Sequence, residues 1–133
     1  MLVRCGLLLV CLAIVGAPAA LAQDEEVAES PVERTVVCTD VVDREPVGAA
    51  DSFGAGVEQL FCFTEIRGLE GTTVTHAWIH EGTTRARVDL PVRSNRWRTW
   101  STKTILPSWT GSWEVKIMTP EGQVLGSVPF TVY

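Results

Sequence analysis

From Arg34 to the C-terminus, apolar side chains recur at alternate positions in short runs, and glycine or proline punctuates most gaps between them. A two-residue period throws successive side chains to opposite faces, which is strand geometry, and no stretch carries a helical period. Residues 35–42 form the first predicted strand, followed by a loop through Pro46, Gly48 and Gly54. In the second, residues 57–66, Leu60, Phe61, Cys62 and Phe63 are apolar on both faces, as in a strand covered on both sides. The third, residues 72–80, sets Val74, His76, Trp78 and His80 against Thr73, Thr75, Ala77 and Ile79. The fourth places Ala86, Val88 and Leu90 opposite Arg85, Arg87 and Asp89, the pattern of a sheet with one wet face. In the fifth, residues 96–103, Trp97, Thr99 and Ser101 oppose Arg96, Arg98 and Trp100. Trp113, Val115 and Ile117 line the sixth, Pro120-Glu121-Gly122 suits a type I turn, and Val124, Val128, Phe130 and Val132 line the seventh. Pro129 on the other face of that last strand marks an edge or a bulge. About seven short strands at spacings near ten residues predict an all-β fold, an antiparallel sandwich of immunoglobulin-like layout.

Ahead of this region, residues 1–22 have the layout of a secretory signal peptide. Arg4 supplies the positive start, residues 7–15 the apolar stretch and Ala20-Leu21-Ala22 a small-x-small cleavage site. The alternative is an uncleaved anchor, because residues 5–22 carry no charge; only then would the protein touch a membrane. Residues 23–34 hold Asp24, Glu25, Glu26, Glu29 and Glu33 with no aromatic residue, and are expected to be a disordered acidic linker to a sandwich domain over residues 35–133. Most of the net charge of −5 sits in that linker. The remainder is close to neutral, which together with export argues against nucleic acid as a partner. The expected location is therefore periplasmic or extracellular. Loss of the leader would leave Cys38 and Cys62, and a pair of cysteines in an exported chain reads first as a disulfide. Closing a loop of about 25 residues would contribute roughly 3 kcal/mol. The other reading is two buried thiols, since spacing does not prove approach. On these strands the bond would join neighbours, unlike the inter-sheet bond of true immunoglobulin domains.

Several blocks fall in a recognisable order: Arg44-Glu45-Pro46-Val47, Phe61-Cys62-Phe63-Thr64-Glu65 and Thr73-Val74-Thr75-His76-Ala77-Trp78, then Arg96-Trp97-Arg98-Thr99-Trp100-Ser101-Thr102-Lys103. Leu106-Pro107-Ser108-Trp109-Thr110-Gly111-Ser112-Trp113 and Glu121-Gly122-Gln123-Val124-Leu125 follow. In this order and spacing the chain resembles the bacterial family known as domain of unknown function 2914 (DUF2914), from about Val36 to the C-terminus. The resemblance implies an envelope-associated β domain and brings no catalytic residues with it. The cysteine pair is not part of the family pattern as we know it.

Candidate sites are few. His76 and His80 would lie about 13 Å apart along a strand, too far to share one metal ion, and no further ligands surround them in sequence. His76 beside Trp78 reads as a structural histidine. Serines and histidines are present without a nucleophile-elbow pattern, so a small hydrolase using His76 is the least favoured function. Glu65 and Glu114 could form a glycosidase pair but suit arginine pairing or solvent better. The five tryptophans all lie between Trp78 and Trp113. Trp97 and Trp113, on apolar faces, belong to the core, while Arg96, Arg98, Trp100 and loop-borne Trp109 remain as candidate ligand contacts. Trp100 can be read either as covered by an arginine or as a platform for a sugar ring. The sequence thus predicts a non-catalytic binding or protein-interaction module without cofactor or metal, its partner a protein or an envelope glycan. A carbohydrate-binding domain using exposed Trp and Arg is the alternative.

Overall fold

The computed structural model describes residues 30–133; the predicted leader and most of the acidic linker lie outside them. In chain order the strands are β1 (Val32–Cys38), β2 (Asp40–Val42), β3 (Glu45–Val47), β4 (Ser52–Phe53) and β5 (Gln59–Arg67). They continue with β6 (Thr73–His80), β7 (Thr83–Pro91), β8 (Arg96–Thr104), β9 (Gly111–Met118) and β10 (Val124–Val132). A three-stranded sheet in the order β1-β5-β8 packs on a five-stranded sheet in the order β4-β10-β9-β6-β7. Pairing is antiparallel throughout except where β4 joins β10 over two residues. The fold is an all-β sandwich, as the alternation predicts, and the seven predicted strands correspond to β1 and β5 to β10.

Two differences have local causes. The end of the first predicted strand and the loop expected after it fold into the β2–β3 hairpin, because Asp43 and Arg44 both adopt positive φ, 52° and 63°. That is a two-residue hairpin turn without the Asn-Gly or Asp-Gly that normally announces one. Past it Gly48, at φ 75°, passes so near Thr39 that a side chain would collide with the Thr39 hydroxyl. Second, β1 begins at Val32, inside the stretch expected to be linker, with Val32 opposite Ile66 and packed against the core beyond it. Pro129, as expected of an edge, pairs opposite Glu114 on a strand that β4 joins only at its last two residues, and a bulge falls at Val124 to Gly126.

Between the sheets the core divides. At one end Leu60, Cys62, Trp78, Ile105, Trp113, Val115 and Phe130 pack together with Val37 and Val132. At the other, Ile66, Val74, Val92 and Ile117 form a smaller cluster capped by Trp97. A polar layer of Thr64, His76 and Ser101 lies between them, each at most 3% exposed. The outer face of the small sheet is covered too: Phe63 is fully buried beneath Trp100, stacked at 6.2 Å, and the Arg34 guanidinium, 5.0 Å from its ring centre. This explains why β5 is apolar on both faces.

The predicted disulfide is absent, and the register shows why. Val37 lies opposite Cys62 and Cys38 opposite Phe61, so the two cysteines occupy adjacent positions of neighbouring strands and project from opposite faces of the sheet. Cys62 joins the core between the sheets, while the Cys38 thiol donates to the Asp40 carbonyl at 3.2 Å. Both are buried free thiols, and burial pushes both up in pKa, Cys62 most strongly. Thiolate chemistry is thereby suppressed at both. Alkylation of denatured, unreduced protein should label both Cys38 and Cys62; a cross-linked peptide joining them in the digest would contradict this register.

Candidate functional site

Strand β8 carries most of the predicted contacts, and its register decides where each goes. Arg96 pairs opposite Arg67, Trp97 opposite Ile66, Arg98 opposite Glu65 and Trp100 opposite Phe63. Arg98 therefore meets Glu65 on the outer face, where the β2–β3 hairpin folds over and adds Glu45. Arg98 contacts Glu45 Oε1 at 2.6 Å and Glu65 Oε1 at 3.0 Å; Arg34 contacts Glu45 Oε2 at 3.0 Å and Glu65 Oε1 at 3.7 Å. Two guanidinium groups and two carboxylates thus alternate in a closed ring. The hydrogen bond from Arg34, with Arg98 adding, holds the Glu45 carboxyl below the usual carboxylate range. Exposed ion pairs stabilise a fold little, but this ring fixes the hairpin. Arg98 also donates to the Arg44 carbonyl at 3.2 Å, so the tip of the turn is tied to β8.

Holding Arg44 there closes a cavity of about 320 Å³ lined by Glu33, Arg44, Glu65, Ile66, Arg96, Trp97 and Arg98. The Arg44 guanidinium stands 5.5 Å from the Trp97 ring centre. Neither Arg44 nor Arg96 makes an ion pair among the described residues. The Trp97 indole Nε1 is buried without a hydrogen-bond partner. Glu33, at a bulge in β1, pairs with Arg67 Nε at 2.7 Å. The cavity therefore presents an aromatic edge, guanidinium donors and carboxylate acceptors together, a surface suited to a ligand that both donates and accepts hydrogen bonds.

The predicted contacts do not form one site. Arg96 and Arg98 meet at this cavity, whereas Trp100 stacks on Phe63, and among the described residues the cation contacts fall on Phe63, Trp97 and Trp109, not on Trp100. Trp109 lies with the larger cluster at the opposite end of the sandwich. Trp97, expected in the core, both packs on the smaller cluster and lines the cavity. Trp113 is buried as expected, its indole donating to the Trp109 carbonyl at 2.9 Å. Arg44 and Glu45 lie on a hairpin that the sequence reads as a loop, and Arg34 lies on the part of β1 that it reads as linker, so none of the three stands among the predicted contacts. Glu65 and Glu114 point from the outer faces of different sheets, and Glu65 is paired with Arg98 while Glu114 stands 3.9 Å from Lys116.

His76 lies at the centre of the polar layer in a chain of hydrogen bonds whose directions follow from its ends. The Trp78 indole donates to Ser101 Oγ at 3.0 Å, and Thr64 donates to the Thr99 carbonyl at 3.1 Å. Ser101 then donates to His76 Nδ1 at 2.7 Å, and His76 Nε2 donates to Thr64 Oγ1 at 3.4 Å. Every polar atom of the ring is satisfied, and the serine and histidine are sealed from solvent. Burial lowers the His76 pKa from 6.5 to about 4.

Residues 71–132 match the model of the family described as a protein of unknown function (DUF2914), the family that the sequence blocks resemble. The match takes in β6 to β10, with Arg96, Trp97, Arg98 and Trp109, and begins after the β2–β3 hairpin and β5. No curated protein matches the chain.

The histidine gives the fold an acid limit. A group whose folded pKa lies below its unfolded value is fully favourable above the unfolded pKa, and its contribution is lost as pH falls. Unfolding free energy should drop by roughly 3 kcal/mol at most through the window from pH 6.5 to about 4. The Glu45 contribution is lost only below its ordinary 4.5. Urea unfolding across this range should show the loss, flattened in His76→Gln; an unchanged slope in that variant would place the titration elsewhere. Ser101→Ala, by orphaning Trp78 Nε1 and His76 Nδ1, should cost about 1 to 3 kcal/mol for each group at neutral pH.

Proposed function

We propose that this domain, whose family match brings no activity with it, is an exported, non-catalytic binding module of the bacterial envelope that seats part of a protein or glycan in the Arg44, Arg96 and Trp97 cavity. The observation that carries this reading is a cavity lined by Trp97 in which two guanidinium groups, those of Arg44 and Arg96, make no ion pair among the described residues. A guanidinium without a carboxylate partner is free to make charge-assisted hydrogen bonds to a ligand, and the indole ring beside it offers apolar contact. The leader pattern of residues 1–22 supports export. The closure of His76 and Ser101 within the core, and the separation of Glu65 from Glu114, support a role in binding over one in hydrolysis.

Carbohydrate recognition is the second reading, favoured by the mixture of lining groups. Sugar hydroxyls both donate and accept, and Glu33 and Glu65 stand beside Arg96 and Trp97. Peptide amides have the same dual character. A panel of envelope polysaccharides and purified envelope proteins, read by tryptophan emission and calorimetry, separates the two classes. Arg96→Ala should weaken the binding found by about tenfold or more, and Trp97→Phe, which keeps a smaller ring in the cavity wall, by a smaller factor. Wild-type affinity in both variants would show that the cavity is not the site.

A further inference from the structure

At the opposite end of the sandwich two cations converge on one indole. Lys103 lies on the inward side of β8, opposite Leu60, with its ammonium 4.8 Å from the Trp109 ring centre. Arg85 reaches the same ring at 5.0 Å from the other sheet, by way of a backbone irregularity. Register along β6 passes from Trp78 opposite Ala86 to Ile79 opposite Thr84, so Arg85 is the extra residue of a β-bulge. Bulges re-aim side chains. This one carries Arg85 away from the outer face that its alternation with Arg87 and Asp89 predicts, and brings Nη2 to 3.4 Å from His80 Nδ1. His80 is set to accept there because its Nε2 donates to the Thr110 carbonyl at 2.7 Å. His80 in turn stacks on Trp113 at 4.7 Å.

Among the described residues no carboxylate pairs with either cation. Neither Arg85 nor Lys103 forms an ion pair among the described residues. Glu81, next in sequence to His80, is occupied by the Ser112 N–H at 2.7 Å. Partial burial and the repulsion of Arg85 lower the Lys103 pKa. Capping Trp109 would need one cation, worth about 0.5 to 1 kcal/mol at an exposed site, whereas a second like charge on the same ring opposes the first. An arrangement that holds two unpaired cations against one ring, one of them through a bulge, leaves both free to bond an anion.

We propose that Arg85 and Lys103 form a binding site for an oxyanion, a carboxylate or phosphate carried by a larger ligand whose body rests against Trp109. All of its side chains lie within residues 71–132, so this site, unlike the cavity beside Trp97, is built wholly from the family-matched segment. It stands at the other end of the molecule and does not depend on the cavity being occupied.

The test is titration of the full chain with galacturonate oligomers, as the carboxylate source, and with inorganic pyrophosphate, as the phosphate source, followed by tryptophan emission and calorimetry. Neutral oligosaccharide of matched length is the control. Saturable binding of either anion, weakening as salt is raised, is expected; the tighter one identifies which oxyanion the ligand bears. Arg85→Ala and Lys103→Met should each reduce affinity about tenfold or more, Arg85→Lys less, and Arg87→Ala on the outer face not at all. Circular dichroism and thermal midpoints confirm that each variant folds, and Lys103→Met retains the apolar stem. No saturable response to either anion, or an equal response in the Arg85→Ala and Lys103→Met variants, would overturn the proposal.

Discussion

The two sheets are held in register by a buried chain of hydrogen bonds running from the Trp78 indole through Ser101 and His76 to Thr64 and the Thr99 carbonyl. Apolar packing is non-directional and would tolerate sliding of one sheet over the other. Sliding here would break bonds that have no water to replace them, and each unpaired group would cost about 1 to 3 kcal/mol. Because β6 supplies Trp78 and His76 while β5 and β8 supply Thr64, Thr99 and Ser101, one layer fixes three strands at once. It also divides the apolar core into two clusters and leaves each end of the sandwich to be closed separately.

Closure at the two ends follows different electrostatic rules. Beside Trp97, Arg34, Arg98, Glu45 and Glu65 neutralise one another in a ring, and the hairpin they hold brings Arg44 over the cavity. Beside Trp109, Arg85 and Lys103 have no such counterparts among the described residues. A chain with a net charge of −5 thus holds two cations against one indole at that end. The whole-chain charge is a poor guide to the local field, since much of the acidity sits in residues 24–33.

What could be read from the sequence was what depends on period and sign. Alternation over residues 72–80 and 96–103 shows which side chains of β6 and β8 share a face, but not that His76, Trp78 and Ser101 are all buried, since on β6 the opposite face carries buried Thr75 and Ala77 as well. It could not show the hairpin, because Asp43-Arg44 adopts a left-handed turn that residue type does not signal. It could not exclude the disulfide either, since a single step of register decides whether Cys38 and Cys62 share a face. Arg96, Arg98, Trp100 and Trp109 lie apart for a related reason: β8 and the link after it run the length of the sandwich, so neighbours in sequence reach opposite ends.

Arg85 is the sharpest case of what alternation misses. A strict two-residue period assigns it to the solvent face with Arg87, and one unpaired residue in β7 is enough to reverse that assignment. The reversal puts a guanidinium beside another cation, which costs electrostatic energy, and interrupts the ladder, which costs backbone pairing. Neither cost is offset within the described residues beyond the contacts to Trp109 and His80. A regular β7 would have left Lys103 alone to cap the indole without repulsion. The irregularity therefore makes physical sense if the charge that balances it is supplied from outside the chain.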